Sequence, residues 1–399
     1  MKLKVTLTAL VLLALYTVNA QDTTETKFGK GIINVVAKDG SWSMKFATRI
    51  QILSTTGWSI DDGDYSKPES NFLLRRARLK FGGFAYTPKL KYKIELGLSN
   101  RDISGASEFT RDAPRYILDA VVKWNFYENF VLWAGQTKLP GNVERVISSA
   151  NLQLVGRSRL NSRFNIDRDL GVQLRHKFKL SDTFIVKEII AVSQGEGRNV
   201  TEGNIGGHQY TGRIELLPFG KFIGKGNYKG SDLKREQTPK LMLAATYDFN
   251  ADAVKNRSNQ GSYMRTVNGF YETNISTVFV DAVFKYNGFS FMGEFADRDA
   301  KEAVAVEKDG TPTKDVVEVG NALNLQAGYL FPNNWEVAGR YTNLNFKAVT
   351  GGRLEEQYTL GISRYIVGHS LKIQSDISYT THDGIGSGLL YRLQFDMHF

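Results

Sequence analysis

The run Leu73-Leu-Arg-Arg-Ala-Arg-Leu-Lys80 holds three guanidinium groups and an ammonium, with Arg76, Arg78 and Lys80 on one parity. A guanidinium stays charged at any relevant pH and can hold two oxygens of an oxyanion at once, whereas an ammonium acts as a mobile point charge. The arrangement recurs. Lys89, Lys91, Lys93 and Glu95 alternate with Leu90, Tyr92, Ile94, Leu96 and Leu98, while Asp169, Gln173, Arg175, Lys177 and Lys179 alternate with Leu170, Val172, Leu174, Phe178 and Leu180. Lys45, Arg49, Arg115 and Lys123 extend the series, and Lys138, Arg145, Arg157, Arg159, Arg163 and Arg168 lie in or beside the long connection 139–167. The chemistry open to such rows is reversible anion binding at several weak sites, which lets an ion enter, shed part of its water and leave.

Covalent and acid–base chemistry has no comparable constellation. None of the five histidines, His176, His208, His369, His382 and His398, has a nucleophile and an orienting acid at a recognisable spacing. Cysteine is absent, which removes thiolate metal sites and thiol nucleophiles, and no HExxH or phosphate-cradling glycine motif occurs. The expectation is a protein that is not an enzyme and needs no cofactor or metal.

The elements that carry these side chains follow from period-two alternation. It marks sixteen runs: 42–53, 71–83, 88–98, 115–125, 130–138, 168–180, 183–193, 208–217, 240–249, 275–286, 288–296, 320–330, 334–343, 355–365, 369–379 and 388–399. Short links alternate with long ones at 54–70, 99–114, 139–167, 194–207, 250–274, 297–319, 344–354 and 380–387; the link 218–239 is long where a short one is due. The last run ends on Phe399, with Leu389, Tyr391, Leu393, Phe395 and Met397 on its apolar parity. One apolar face per strand, an even count and alternating link lengths describe an all-β, transmembrane antiparallel β-barrel with long outer loops and short periplasmic turns.

Residues 1–20 read as a secretory signal: Lys2 and Lys4, an apolar stretch from Val5 to Tyr16, and a small-residue site at Val18-Asn19-Ala20. Residues 21–41 are a short lead and 42–399 the barrel, so the address is the bacterial outer membrane. The formal charge of +10 falls to about +8 without the two leader lysines. In an exported chain that excess suits anionic solutes or lipid head groups, not nucleic acid.

With the apolar parity against lipid, the cations point into the lumen, since an unpaired cation at the bilayer midplane costs about 2–4 kcal/mol. Arg75 falls on the apolar parity, which leaves it at the interface or beside a bulge that turns it inward. Lysines at run ends, such as Lys89 and Lys179, can instead reach lipid head groups. The later runs offer balanced charges: Asp281 with Lys285, Glu336 with Arg340, Lys372 with Asp376, and Arg392 with Asp396.

Three stretches resemble the outer-membrane porins of the phosphate-selective O and P type. They are Phe46-Ala-Thr-Arg-Ile-Gln51 with Phe72-Leu-Leu-Arg-Arg-Ala-Arg-Leu79; Tyr116 to Pro140, containing Trp133-Ala-Gly-Gln-Thr-Lys-Leu-Pro140; and Asp167-Arg-Asp-Leu-Gly-Val-Gln173. The segment from Pro218 to Leu241 is similar too, which makes its length a family insertion. The resemblance implies a homotrimer of sixteen-stranded barrels, a third loop folded inward, and Arg75, Arg76 and Arg78 at the constriction. Gly97 departs from it, standing where an acidic residue is expected. The function implied is a passive, anion-preferring porin for phosphate or polyphosphate, lined by Arg49, Arg75, Arg76, Arg78, Lys80, Lys91, Lys93, Arg115, Lys123, Lys138 and Arg175. The alternatives are a weakly selective general porin and a non-conducting structural or adhesive barrel.

Overall fold

The computed structural model describes residues 27–103, 107–201, 205–383 and 386–399, so the leader expected at 1–20 lies outside the described residues. The chain runs as β1 (Ser43–Asp61), β2 (Glu69–Ala85), β3 (Thr87–Gly97), β4 (Ile117–Tyr127), β5 (Phe130–Lys138), β6 (Arg168–Lys179), β7 (Ile185–Ser193) and β8 (Gln209–Leu217). It continues as β9 (Lys240–Ala253), β10 (Thr273–Tyr286), β11 (Phe289–Ala300), β12 (Gly320–Leu330), β13 (Trp335–Phe346), β14 (Leu354–Val367), β15 (Leu371–His382) and β16 (Gly386–His398). Each strand pairs antiparallel with the next, and β1 also pairs with β16 from Arg49↔His398 to Ile60↔Ser387, so the sheet closes into a sixteen-stranded barrel without a free edge. The lead adds a short strand, Ile33–Val36, on the start of β1, and Phe28 packs edge-on against Phe399 at 5.3 Å.

Alternation sets the register. Ile94 and Leu174 lie outward, 40% and 39% exposed, while Glu95 and Gln173 beside them are buried inside. Near the periplasmic rim the outward rings of Phe130, His176 and Phe178 stack on one another, as an aromatic girdle requires. The hairpin between β10 and β11 turns on Asn287-Gly288, both with positive φ, the conformation a two-residue turn between twisted strands needs. The first expected loop, 54–70, is mostly strand: β1 runs on to Asp61 and β2 begins at Glu69. Beyond the lipid both faces meet water, so pairing continues where alternation has stopped.

The third loop, 139–167, turns into the barrel and carries two short helices, α1 (Val143–Val146) and α2 (Arg159–Phe164). Most of its apolar side chains are turned away from water. Leu139, Leu160, Phe164 and Ile166 pack on Ala191, Phe279, Ala296, Ala322, Leu344 and Phe346 of the wall. Val143, Ile147 and Leu152 pack on Ile185, Leu217, Met242, Val283 and Met292. The lumen side of β7 to β13 is therefore part of a core. The balanced charges of the later strands serve this core and do not pair as the sequence suggested. Asp281 accepts from Val143 N at 3.1 Å, Glu294 from Glu144 N at 2.7 Å, and Asp376 from Val155 N at 3.0 Å, while Gln153 Nε2 donates to Glu336 at 2.7 Å. Lys372 donates to Leu152 O at 2.9 Å and Arg340 to Gly156 O at 2.9 Å.

The long link 218–239 also enters the barrel, from the periplasmic end. Gly230 N donates to Asn151 O at 2.7 Å, and Lys285 Nζ donates to the carbonyls of Lys229 and Ser231, so this segment meets the underside of the third loop. Phe222 joins the apolar cluster around Val143, with Tyr228 packed against it.

Candidate functional site

With the third loop packed on β7 to β15, the space left open lies along β2 to β7. It is a cavity of about 1460 Å³, lined from the outer loops at Arg101, Arg198 and Gln260 to the periplasmic turns at Glu128, Lys221 and Lys225. Nineteen lysines and arginines line it against six aspartates and glutamates, so cationic side chains outnumber acidic ones about three to one.

The lining cations fall into two groups according to their partners. Arg78 is neutralised: its Nε and Nη2 reach Asp102 at 2.8 and 2.7 Å, and its Nη1 reaches Glu95 at 3.1 Å. Lys93 is held by Glu95 and Asp119 at 2.8 and 2.7 Å, and Arg168 by Asp119 at 3.2 Å. Lys80, expected to line the pore, lies 3.6 Å from Glu95 and does not border the cavity. Arg75, Arg76, Arg101, Arg115 and Arg157 have no carboxylate partner among the described residues. Arg76 Nη1 donates to Gln51 Oε1, and its Nε has no partner.

Arg75 faces the cavity because of a bulge: Gln51 pairs with Arg76 and Ile52 with Leu74, leaving Arg75 as the extra residue. That places it inward and settles the parity alternative. The acid expected near Gly97 comes from elsewhere. Gly97 is the cross-strand partner of Arg78, and the Asp102 side chain from the second loop occupies the space a Cβ at Gly97 would need, 2.5 Å from Asp102 Cβ. Burial alone would raise the Asp102 pKa, but the Arg78 guanidinium outweighs it and holds the carboxyl below its usual range.

The third loop supplies the facing side. Ser149 crosses to β1 and β2, its Oγ 2.6 Å from Arg49 Nη1 and 3.5 Å from Arg78 Nη1. Arg157 folds back on its own loop, donating to Glu144 O at 3.0 Å and Ile147 O at 2.7 Å. Burial pulls its guanidinium down to about 10, with Glu144 opposing and Arg168 adding to the shift, so it is cationic at neutral pH. Nothing in the sequence sorted Arg157 from the other loop arginines.

Other residues of the series sit differently. Arg49 is fully buried in a bidentate pair with Asp396, at 2.9 and 2.6 Å, and braces Ser149; it does not border the cavity. Lys138 lines the cavity, but its ammonium caps α1, donating to the carbonyls of Arg145 and Ile147 at 2.6 and 3.0 Å. Lys91 lies exposed near the periplasmic end of β3 and does not line the cavity. Lys123 and Arg175 do line it, and both approach the ring of Trp133, Nζ at 3.6 Å and Cζ at 3.8 Å. Trp133 itself was missed: in the sequence it reads as one more apolar residue of β5.

The sequence model of the family described as phosphate-selective porin O and P matches residues 54–387. The chain belongs to that family. It is therefore a porin, a non-catalytic channel of the bacterial outer membrane. Among solved structures, an anion-selective porin from Comamonas acidovorans is similar over 90% of this chain and 100% of its own, with TM-score 0.55 and 11% identity. The OmpF porin of Salmonella typhi, in complex with daunomycin, aligns with TM-score 0.54 and 12% identity over 91% of this chain and 99% of its own. The outer-membrane channel DcaP of Acinetobacter baumannii aligns with TM-score 0.52 and 12% identity over the same shares. At these identities the likeness is one of fold. A search of curated proteins finds no match.

Proposed function

We propose that this porin is a passive, anion-preferring diffusion channel whose leading solute is phosphate or polyphosphate, working as a homotrimer. The observation that carries the reading is the excess of lining cations over lining acids, nineteen to six, together with carboxylate-free guanidinium groups at Arg75, Arg76 and Arg157 where the third loop narrows the lumen. Several oxyanion-binding groups in series hold an ion weakly enough for release, and low-dielectric walls weaken screening between them. The trimer rests on the family resemblance, and cross-linking in detergent tests it.

The deciding measurement is the reversal potential in planar bilayers under chloride and phosphate gradients. Replacing Arg75 and Arg76 together by glutamate should lower or reverse chloride-over-potassium selectivity while the barrel still assembles. Phosphate block of chloride current, lost in that variant, is the expected result for a phosphate site. An unmodified channel with no such block is a general porin, and one with no conductance at all is a structural barrel.

A further inference from the structure

The periplasmic half of the cavity is not uniformly polar. Asn125, Val131, Arg175, Ile189 and Arg213 are successive cross-strand partners on β4 to β8. Val131 and Ile189 thus flank Arg175 on the lumen face, with Cβ atoms about 5 Å away, and all three line the cavity. The Trp133 ring lies 3.8 Å from the Arg175 guanidinium and 3.6 Å from Lys123 Nζ. Gln173 Oε1 accepts from Arg175 Nε and Nη2 at 3.2 and 2.7 Å, which holds the guanidinium in place; among the described residues Nη1 has no hydrogen-bond partner. Phe222 borders the same space from the inserted segment.

An inorganic anion gains nothing from these apolar groups. It would keep more of its water beside a polar wall, and threonine in place of Val131 or Ile189 would preserve the strand equally well. Packing under the third loop accounts for Phe222, Ile185 and Leu217, which join the cluster around Val143. It does not account for Val131, Trp133 and Ile189, which belong to none of the apolar clusters.

We propose that this chamber is a station for small organic anions that carry one oxyanion head and one flat apolar body, with aromatic carboxylates as the class. The carboxylate meets Arg175 Nη1 and Lys123 Nζ, and the ring lies over Val131, with the edges of the buried Ile189 and Phe222 beside it. The inference rests on the anion-channel reading, in that the ligand must enter through the same lumen.

The test uses the full-length protein in planar bilayers, with chloride current read as sodium benzoate, acetate or gluconate is added on the periplasmic side. Gluconate carries the same charge as benzoate at similar size but is hydroxylated, so it reports steric block alone. Benzoate should reach half-block at about fivefold lower concentration than either. The ratio should fall toward one in the double variant Val131→Thr, Ile189→Thr. A benzoate-to-gluconate ratio of one in the unmodified protein overturns the proposal, as does an unchanged ratio in the assembled variant. Chloride-over-potassium selectivity, read on the same membranes, reports the anion-channel reading separately, so failure of one is distinguishable from failure of the other.

Discussion

Within one tripeptide step, Arg76 and Arg78 have the same charge, parity and chemistry, yet the fold gives them different work. Arg78 is matched by Glu95 and Asp102, so its field at the cavity is largely cancelled; Arg76 leans on Gln51 alone and keeps its charge for the lumen. The cancelling acid depends on Gly97, since any side chain there would expel Asp102. Asp102→Asn should therefore leave Arg78 sharing only Glu95 with Lys80 and Lys93, raising the net charge beside the cavity by one without altering its size. Phosphate block of chloride current is expected at roughly threefold to tenfold lower concentration, with slower release and smaller current. Block at an unchanged concentration would place Arg78 outside the anion path. Arg78→Glu is a poorer probe, because it would set a third carboxylate between two others and disturb assembly before selectivity.

The third loop is held less by its two short helices, one of four residues and one of six, than by carboxylates on the far wall that accept its backbone N–H groups. Glu294 is the hub: one oxygen takes Glu144 N and Asn142 Nδ2, and the other takes Asn324 Nδ2 at 3.0 Å. Glu294→Ala leaves these donors unmet in a buried site, a cost of about 1–3 kcal/mol each. The loop should swing or fray while the β11 backbone stays paired. Higher single-channel conductance, more open-channel noise and weaker anion preference are expected; traces identical to the unmodified channel would mean the apolar packing holds the loop unaided. None of this anchoring was legible in the sequence, for the partners lie more than a hundred residues apart. The strands were legible, because lipid on one face imposes a period of two. The exceptions are Phe279, Val283 and Leu344, apolar residues pointing inward to meet the loop, where a polar-lumen rule expects none. The narrowing loop was reached through family resemblance; the length of the 218–239 segment showed in the link pattern, but its entry into the barrel did not.

Closure of the whole barrel depends on a seam between the first and last strands, where sequence reasoning placed a pore-lining arginine. Arg49 on β1 and Asp396 on β16 form a bidentate pair with both side chains out of water, and the same guanidinium donates to Ser149 Oγ and its carbonyl oxygen. One contact thus ties the seam to the constriction loop. Desolvation of two charges offsets most of their attraction, so the intact pair adds little net stability, but removing one partner strands the other charge at a cost of about 3–5 kcal/mol. Arg49→Leu should lower the temperature at which the barrel loses its compact, heat-modifiable form on gels, and Asp396→Leu should do the same. The double variant, with no charge left to strand, should recover much of the loss. Ion selectivity should shift far less in the double variant than on replacing Arg75 and Arg76, since Arg49 does not border the cavity. If the two single losses simply add in the double variant, the pair is not coupled and closure rests on the β1–β16 backbone ladder alone.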